Sequence, residues 1–595
     1  MELRSRSEMD PKYTWDLSQM YENLEAYEKA FAEVEKAVPD IQAVMGTLGA
    51  SAEALKHGLD TVYSLLEKAE PVYIYTMLRK SGDSSDPENL ELNGKATRLL
   101  VTISSMTSFI EPEILAIPED KIAEYLKDPS LEKYRFMIEN ILRGRAHILD
   151  AEKEKMLAML MDASNAPSDA FDMLTNVDMK FPVIKDEDGN DVRLTNGNFS
   201  VYRASADRRV REDAFNGYFG THKEYINTLA ELYAGSVKFD TYFADVHNFA
   251  SARERALFAS CVPLSVYDNL IEAIHAALPT MRRYLELRKK VLGLEKIDLF
   301  DLYTPMIEDV DYPMPYEEGK KLVKEALKPL GKEYGKLLDK AYENGWIDVY
   351  ENKGKRSGAF SCGVYGTHPY VLLNYTDTLD DAFTLAHELG HSMHSYKSAE
   401  AQEYVNSDYK IMVAEVASTV NEVFMTKHLL KTETDKKRRA FILNNFLEGF
   451  RTTVFRQTLF AEFEKESHEM YKNGVTLTAK SLSDTYNALI SKYYEGAEVP
   501  EIMSYEWSYI PHFYNAFYVY QYATGFCSAV TIASKILETG DTSGYLKFLT
   551  LGGSDHPIEE LKVAGVDLTK PDAVANAMKV FDDTVTELEE LLADM

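Results

Sequence analysis

Residues 377–397 read DTLDDAFTLAHELGHSMHSYK. Asp377 or Thr378 is a suitable helix N-cap, and Leu379, Ala382, Phe383 and Ala386 repeat at the spacing of an amphipathic helix. The helix therefore carries His387-Glu388-Leu389-Gly390-His391. Histidines at i and i+4 share one face, with Cβ atoms about 6 Å apart, so both imidazoles can reach one zinc ion at about 2.1 Å. Glu388 projects beside them, placed to act as a general base toward a water rather than as a ligand. Chance would supply an H-E-x-x-H roughly 0.03 times in a chain of this size and composition, so the motif carries weight even alone.

Zinc asks for a third protein ligand and an open position. A third histidine six residues after His391, with a glycine between, would mark one class of such sites, but His394 and Lys397 stand at those two places. His394 shares a face with His387, yet seven residues put it about 10 Å along the helix axis, so it belongs behind the ligands rather than among them. A second helix-like run, KIMVAEVASTVNEVFMTKHLL, sets Glu415 among Met412, Val413, Val416 and Val420. A carboxylate in such company needs a partner. Glu415, Ser418 and Glu422 fall on one face, so Glu415 can complete the metal site while Glu422 orients a histidine from behind.

Outward from these helices, the 595 residues are 45% hydrophobic and 27% charged, the composition of a folded globular chain of several core-sized units. Lys and Arg number 65 against 96 Asp and Glu, a net charge of −31 that disfavours nucleic acid as a partner. No run approaches the roughly 18 apolar residues of a membrane span, and MELRSRSEMDPK lacks the apolar stretch of a leader, so no membrane partner and a cytoplasmic location are expected. Three scattered cysteines, Cys261, Cys362 and Cys527, leave any metal to histidine and carboxylate.

Periodicity reads helical almost throughout, with long runs over 17–38, 59–80, 89–108 and 213–243, so the expected fold class is mainly α. Two interruptions stand out. FPVIKDEDGNDVRLTNGNF, residues 181–199, has the turn chemistry of a β-hairpin around Asp186 to Asn190. KRSGAFSCGVYGTHPYVLLNY, residues 355–375, is broken by Gly358, Gly363 and Gly366 before a strand-like run from Tyr370 to Tyr375, which places a small β element ahead of the HELGH helix. The resulting division is an N-terminal helical domain over 1–115, a helical segment ending in the hairpin over 116–200, and a catalytic domain carrying the metal site over 201–595. In the glycine-interrupted segment, Phe360, Ser361, Cys362, Gly363, Val364 and Tyr365 offer backbone groups to which an extended peptide could add as a strand.

KRSGAFS, YGTHPYVLLNYT, HELGH, EVASTVNE and PHFYNAFYVYQYATGF, in this order and spacing, resemble the M3 metallopeptidases of the oligoendopeptidase F type, related to thimet oligopeptidase. The likeness runs from Trp15-Asp16-Leu17 to the final helices. It implies a mainly helical, two-lobed, zincin-like body enclosing a substrate channel, with one zinc per chain on His387, His391 and Glu415 and short unfolded peptides as substrates. It also implies a histidine and tyrosines from a late segment facing the substrate carbonyl. His512 matches the histidine. The tyrosines do not align uniquely. Tyr514, Tyr518 and Tyr522 would share a helical face, with Tyr520 off it, and of these Tyr518 and Tyr522 are chosen. Two rival readings are a carboxypeptidase, which would need a cation such as Arg356 to hold a terminal carboxylate, and a noncatalytic helical scaffold that keeps a metal site.

Overall fold

The computed structural model describes residues 3–307, 310 and 312–595. Helices dominate, as expected, and the only sheets among the described residues are one two-stranded and one three-stranded. The chain divides into two compact units, neither continuous in sequence. The first comprises Met1–Ala146, Tyr312–His428 and Ile532–Val566, and the second His147–Asp311, Leu429–Thr531 and Asp567–Met595.

In the first unit, helices α1 (Leu24–Val44), α2 (Ala52–Gly82) and α3 (Pro87–Thr107) bury a shared core of Tyr27, Val34, Ile41, Val62, Val72, Leu92 and Ile103. The expected start of α1 at Leu17 is corrected. Asp16 caps a separate turn over Leu17–Gln19, and the Asn23 side chain then accepts the Ala26 N–H to begin the helix. One expectation was too strict: an 18-residue window within Pro87–Ala116 reaches a mean hydropathy of 1.3. Ile103 and Ile114 of that stretch are buried.

The second unit holds the hairpin, with β1 (Val183–Lys185) antiparallel to β2 (Asp191–Arg193) and Ile184 opposite Val192. Asp186 accepts the N–H groups of Asp188 and Asn190, and Gly189 takes the positive φ of +82° that closes the turn. The single helix expected over 213–243 is two, α4 (Arg208–Glu224) and α5 (Ile226–Val246), because Tyr225 at φ −104° and ψ 9° breaks the ladder. Apolar periodicity continues across that break, which is why it does not register in the pattern.

Back in the first unit, β3 (Ile347–Asp348), β4 (Phe360–Cys362) and β5 (Tyr370–Leu372) form a sheet ordered β3-β5-β4, leaving β4 at an edge. β5 is buried throughout. Helix α6 (Leu379–Ala401) follows it and buries Leu379, Ala382, Leu385, Ala386, Leu389 and Met393, and α7 (Ile411–Thr432) comes next. Two later helices of the second unit matter below: α8 (Arg456–Lys472), and α9 (Tyr520–Thr539), which continues into the first unit from Ile532.

Candidate functional site

The HELGH helix is held at its start by a reciprocal cap. Thr378 Oγ1 accepts the Asp381 N–H, and the Asp381 carboxylate accepts the N–H and hydroxyl of Thr378. Asp377 takes a positive φ of 63° just before it, so of the two cap candidates Thr378 is the one used.

Gly390 decides how closely the next helix approaches. A Cβ built there would lie 2.5 Å from Ser418 Cα and 2.6 Å from the Ala417 oxygen, both backbone atoms of α7. Only glycine permits that approach. One turn back, Asn421 Nδ2 donates to the Ala386 oxygen at 2.9 Å, while Tyr334 donates its hydroxyl to Asn421 Oδ1 at 3.0 Å. These contacts hold α7 so that Glu415 faces the histidines. Neither Gly390 nor Asn421 was picked out from sequence, although a glycine inside an otherwise apolar helix is a packing signal.

Three donors each about 2.1 Å from one tetrahedral ion stand roughly 3.4 Å apart. His387 Nε2 and His391 Nε2 are 3.2 Å apart, and Glu415 Oε2 is 3.3 Å from the first and 3.6 Å from the second. His387, His391 and Glu415 thus have the spacing and the nitrogen and oxygen chemistry of a zinc site, and they are the group that could hold a metal ion among the described residues. His387 Nδ1 lies 2.6 Å from Glu422 Oε1, the arrangement that fixes the ring and leaves Nε2 directed at the metal position. Burial disfavours charge on His387, but hydrogen bonds to Glu415 and Glu422 outweigh it and raise the imidazole to about 10. Bonds to His387 and His391 hold Glu415 well below the usual carboxylate range.

Glu388 is 7% exposed, and burial pushes its carboxyl upward, toward the range a proton acceptor needs near neutral pH. His394 is buried against Tyr409, with ring centroids 3.8 Å apart, and burial drives its imidazole down to about 3. Among the described residues it makes no hydrogen bond to His387, His391 or Glu415.

Of the six residues proposed for strand addition, Phe360 to Cys362 form the edge strand β4, and Ser361 Oγ lies 2.8 Å from Ser392 Oγ on α6. Gly363 lets the chain pass close to Ser395, Val364 is buried, and the Tyr365 N–H is taken by Glu70. The open edge is therefore shorter than six residues. Arg356 is exposed, with its guanidinium 5.4 Å from the Phe360 ring centroid.

His512, Tyr518 and Tyr522 belong to the second unit. His512 is exposed at the second position of a 3-10 turn over Pro511–Tyr514. The single helical face expected for Tyr514, Tyr518 and Tyr522 is corrected, since α9 begins only at Tyr520. Tyr514 packs instead on Phe171, with ring centroids 4.7 Å apart. The chosen pair does converge. Tyr518 and Tyr522 rings lie 5.4 Å apart and stand 6.4 and 6.2 Å from His512. Tyr520 is buried against Tyr267, off that cluster.

Comparison with known proteins bears on the whole chain. The model of peptidase family M3 matches residues 201–580, and that of oligopeptidase F matches 113–181. Oligopeptidase PepF of Bacillus subtilis is 42% identical over 99% of this chain and 89% of its own. A putative peptidase from Chlamydophila abortus superposes with a TM-score of 0.95 at 34% identity, covering 99% of this chain and all of that one. Oligoendopeptidase-F from Enterococcus faecium gives 0.73 at 37% identity, over 96% and 99% of the two chains. The carboxypeptidase and scaffold readings give way to these relationships, and the chain belongs to peptidase family M3, in its oligoendopeptidase F branch, as a metalloendopeptidase.

Proposed function

We propose that this metalloendopeptidase is a zinc-dependent, cytoplasmic oligoendopeptidase that hydrolyses internal bonds of short unfolded peptides. The observation that carries the reading is the donor triangle of His387, His391 and Glu415, with sides of 3.2, 3.3 and 3.6 Å, beside the buried Glu388. Zinc bound there would supply a Lewis acid that acidifies a water and polarises a carbonyl. Glu388 takes the proton of the attacking water and returns it to the departing amine. Its raised proton affinity suits both halves of that exchange. Glu422 keeps His387 in the tautomer that presents Nε2. His512, Tyr518 and Tyr522 are assigned as donors to the developing oxyanion, where a hydrogen bond counts most in the transition state. The β4 edge at Phe360 to Cys362 is assigned to the substrate backbone, which makes recognition depend on an extended main chain more than on side-chain identity.

The test is metal analysis together with product mapping on peptides blocked at both ends. One zinc per chain and internal cleavage are expected. Full activity after zinc is removed, or products released only from free termini, would overturn the reading.

A further inference from the structure

A carboxyl group with no assigned role lies beneath the His512 segment. Glu464, on α8, is fully buried, and no cation pairs with it among the described residues. One of its oxygens, Oε1, accepts the backbone N–H of Phe517 at 2.9 Å, and the other, Oε2, has no hydrogen-bond partner among the described residues. A buried carboxyl is a costly filler compared with a leucine, so what it gives in return is directional.

What it holds is strained. Phe517 has a φ of +60°, the left-handed region that a bulky L side chain avoids, and it is 3% exposed. Its ring lies 4.6 Å from His468 and 5.9 Å from Tyr267, so the turn is fixed from the ring side as well. His468, also on α8, is held on both ring nitrogens, with Nδ1 2.8 Å from the Glu464 backbone oxygen and Nε2 3.3 Å from Asp240 on α5. This left-handed residue joins the 3-10 turn bearing His512 to the helix bearing Tyr522, with Tyr518 immediately after it. The rings of His512, Tyr518 and Tyr522, on either side of this residue, lie 5.4 to 6.4 Å apart.

We propose that Glu464 is a positioning residue that, through its hydrogen bond to the Phe517 N–H, fixes the left-handed turn that brings His512 together with Tyr518 and Tyr522. The inference rests on the oxyanion-donor reading of those three residues. Burial with Asp240 nearby raises the Glu464 carboxyl well above its usual range, so the neutral acid is the form that accepts the bond. Glutamine is the neutral isostere that keeps a carbonyl acceptor at the same reach.

In the full-length zinc enzyme, Glu464→Gln should keep kcat within about threefold of the wild type. Glu464→Leu should lower kcat about 10- to 100-fold with KM and zinc content unchanged. Glu464→Asp withdraws the acceptor by one methylene and should also lower kcat, which keeps the test decisive if the leucine variant does not fold. The resonance of His512, followed with Cε1-labelled histidine, should move in the leucine and aspartate variants and stay in place in the glutamine variant. Wild-type kcat in Glu464→Asp or Glu464→Leu, equal losses in Glu464→Gln and Glu464→Leu, or a change confined to KM would overturn the proposal. His512→Ala, measured alongside, separates the two ideas. If it leaves kcat unchanged, the oxyanion reading fails and the resonance shifts alone decide the positioning role. If it lowers kcat while the Glu464 variants behave as wild type, only the positioning role fails.

Discussion

His387 stands between two carboxylates, and in the metal-free protein a proton there takes the place of a cation. Its imidazole is raised to about 10 from an ordinary 6.5. The sign follows: this proton stabilises the fold fully below pH 6.5, and the contribution is lost as pH rises through about 10. Zinc binding must expel the proton. Zinc affinity, measured by competition with a chelator, should therefore climb about tenfold per pH unit above neutrality and level off near pH 10. A flat profile would mean that His387 is neutral without metal. Two substitutions separate ligation from proton transfer. Glu388→Gln should keep zinc and lose turnover by a factor of about 100 to 10,000, because only the proton acceptor is gone. Glu422→Gln should weaken zinc by about 10- to 100-fold, the usual cost of losing the partner behind a ligating histidine. If Glu388→Gln turned over within tenfold of the wild type, the base would have to be another group. Glu415 was legible in the sequence because a carboxylate among Met412, Val413, Val416 and Val420 has to be paid for by a partner. His512 was reachable only through resemblance, since an exposed histidine after a proline has no periodicity to announce it.

At the scale of elements, the metal site is as good as the approach of α7 to α6. Alanine is a better helix former than glycine by about 1 kcal/mol, so Gly390→Ala on an isolated helix would be favourable. Here its methyl would strike the backbone of Ser418 and Ala417, which cannot swing aside as a side chain can. Overpacking of this kind costs about 1 to 3 kcal/mol, enough to cancel the propensity gain. Gly390→Ala should lower the melting temperature and, by moving Glu415 outward, weaken zinc binding more than it weakens the fold. Unchanged zinc affinity would show that α7 can slide without disturbing the ligands. The sequence announced the elements themselves well where local chemistry is strong: the Thr378 cap, the Asp186 to Asn190 turn and the apolar stripe of α6 all stand where the pattern puts them. It failed where two signals conflict. The 213–243 stripe runs on through the break at Tyr225, and the spacing of Tyr514, Tyr518 and Tyr522 mimics a helix over a turn that Phe517 interrupts with a positive φ.

For the molecule as a whole, the size of the chain sets a question about substrates. The proposed ligands and Glu388 fall within residues 387–415, whereas about 380 residues precede HELGH and about 200 follow it. The N-terminal helices α1 to α3 have a core of their own and no chemistry. Their bulk has a use if access to zinc is meant to be selective. The strand proposed to receive the substrate points the same way, because β4 is three residues long and sits at a sheet edge. An extended peptide pairing with it needs only about 10 Å of free backbone, at roughly 3.4 Å per residue. A folded protein has most of its backbone already paired and offers few extended segments free to be drawn into a site. A long denatured chain offers many, so only a restricted entrance would exclude it. Peptides of roughly 6 to 20 residues, at most about 70 Å when fully extended, should therefore be cut efficiently. Folded proteins and long denatured chains should be cut slowly. The measurement is a series from about 6 to 60 residues with one scissile sequence at the centre, assayed at equal concentration. Rates that fall beyond about 20 residues would assign the helical mass to gating. Rates that stay flat, or rapid digestion of a denatured protein, would leave the edge strand as the recognition element and give the surrounding helices another purpose.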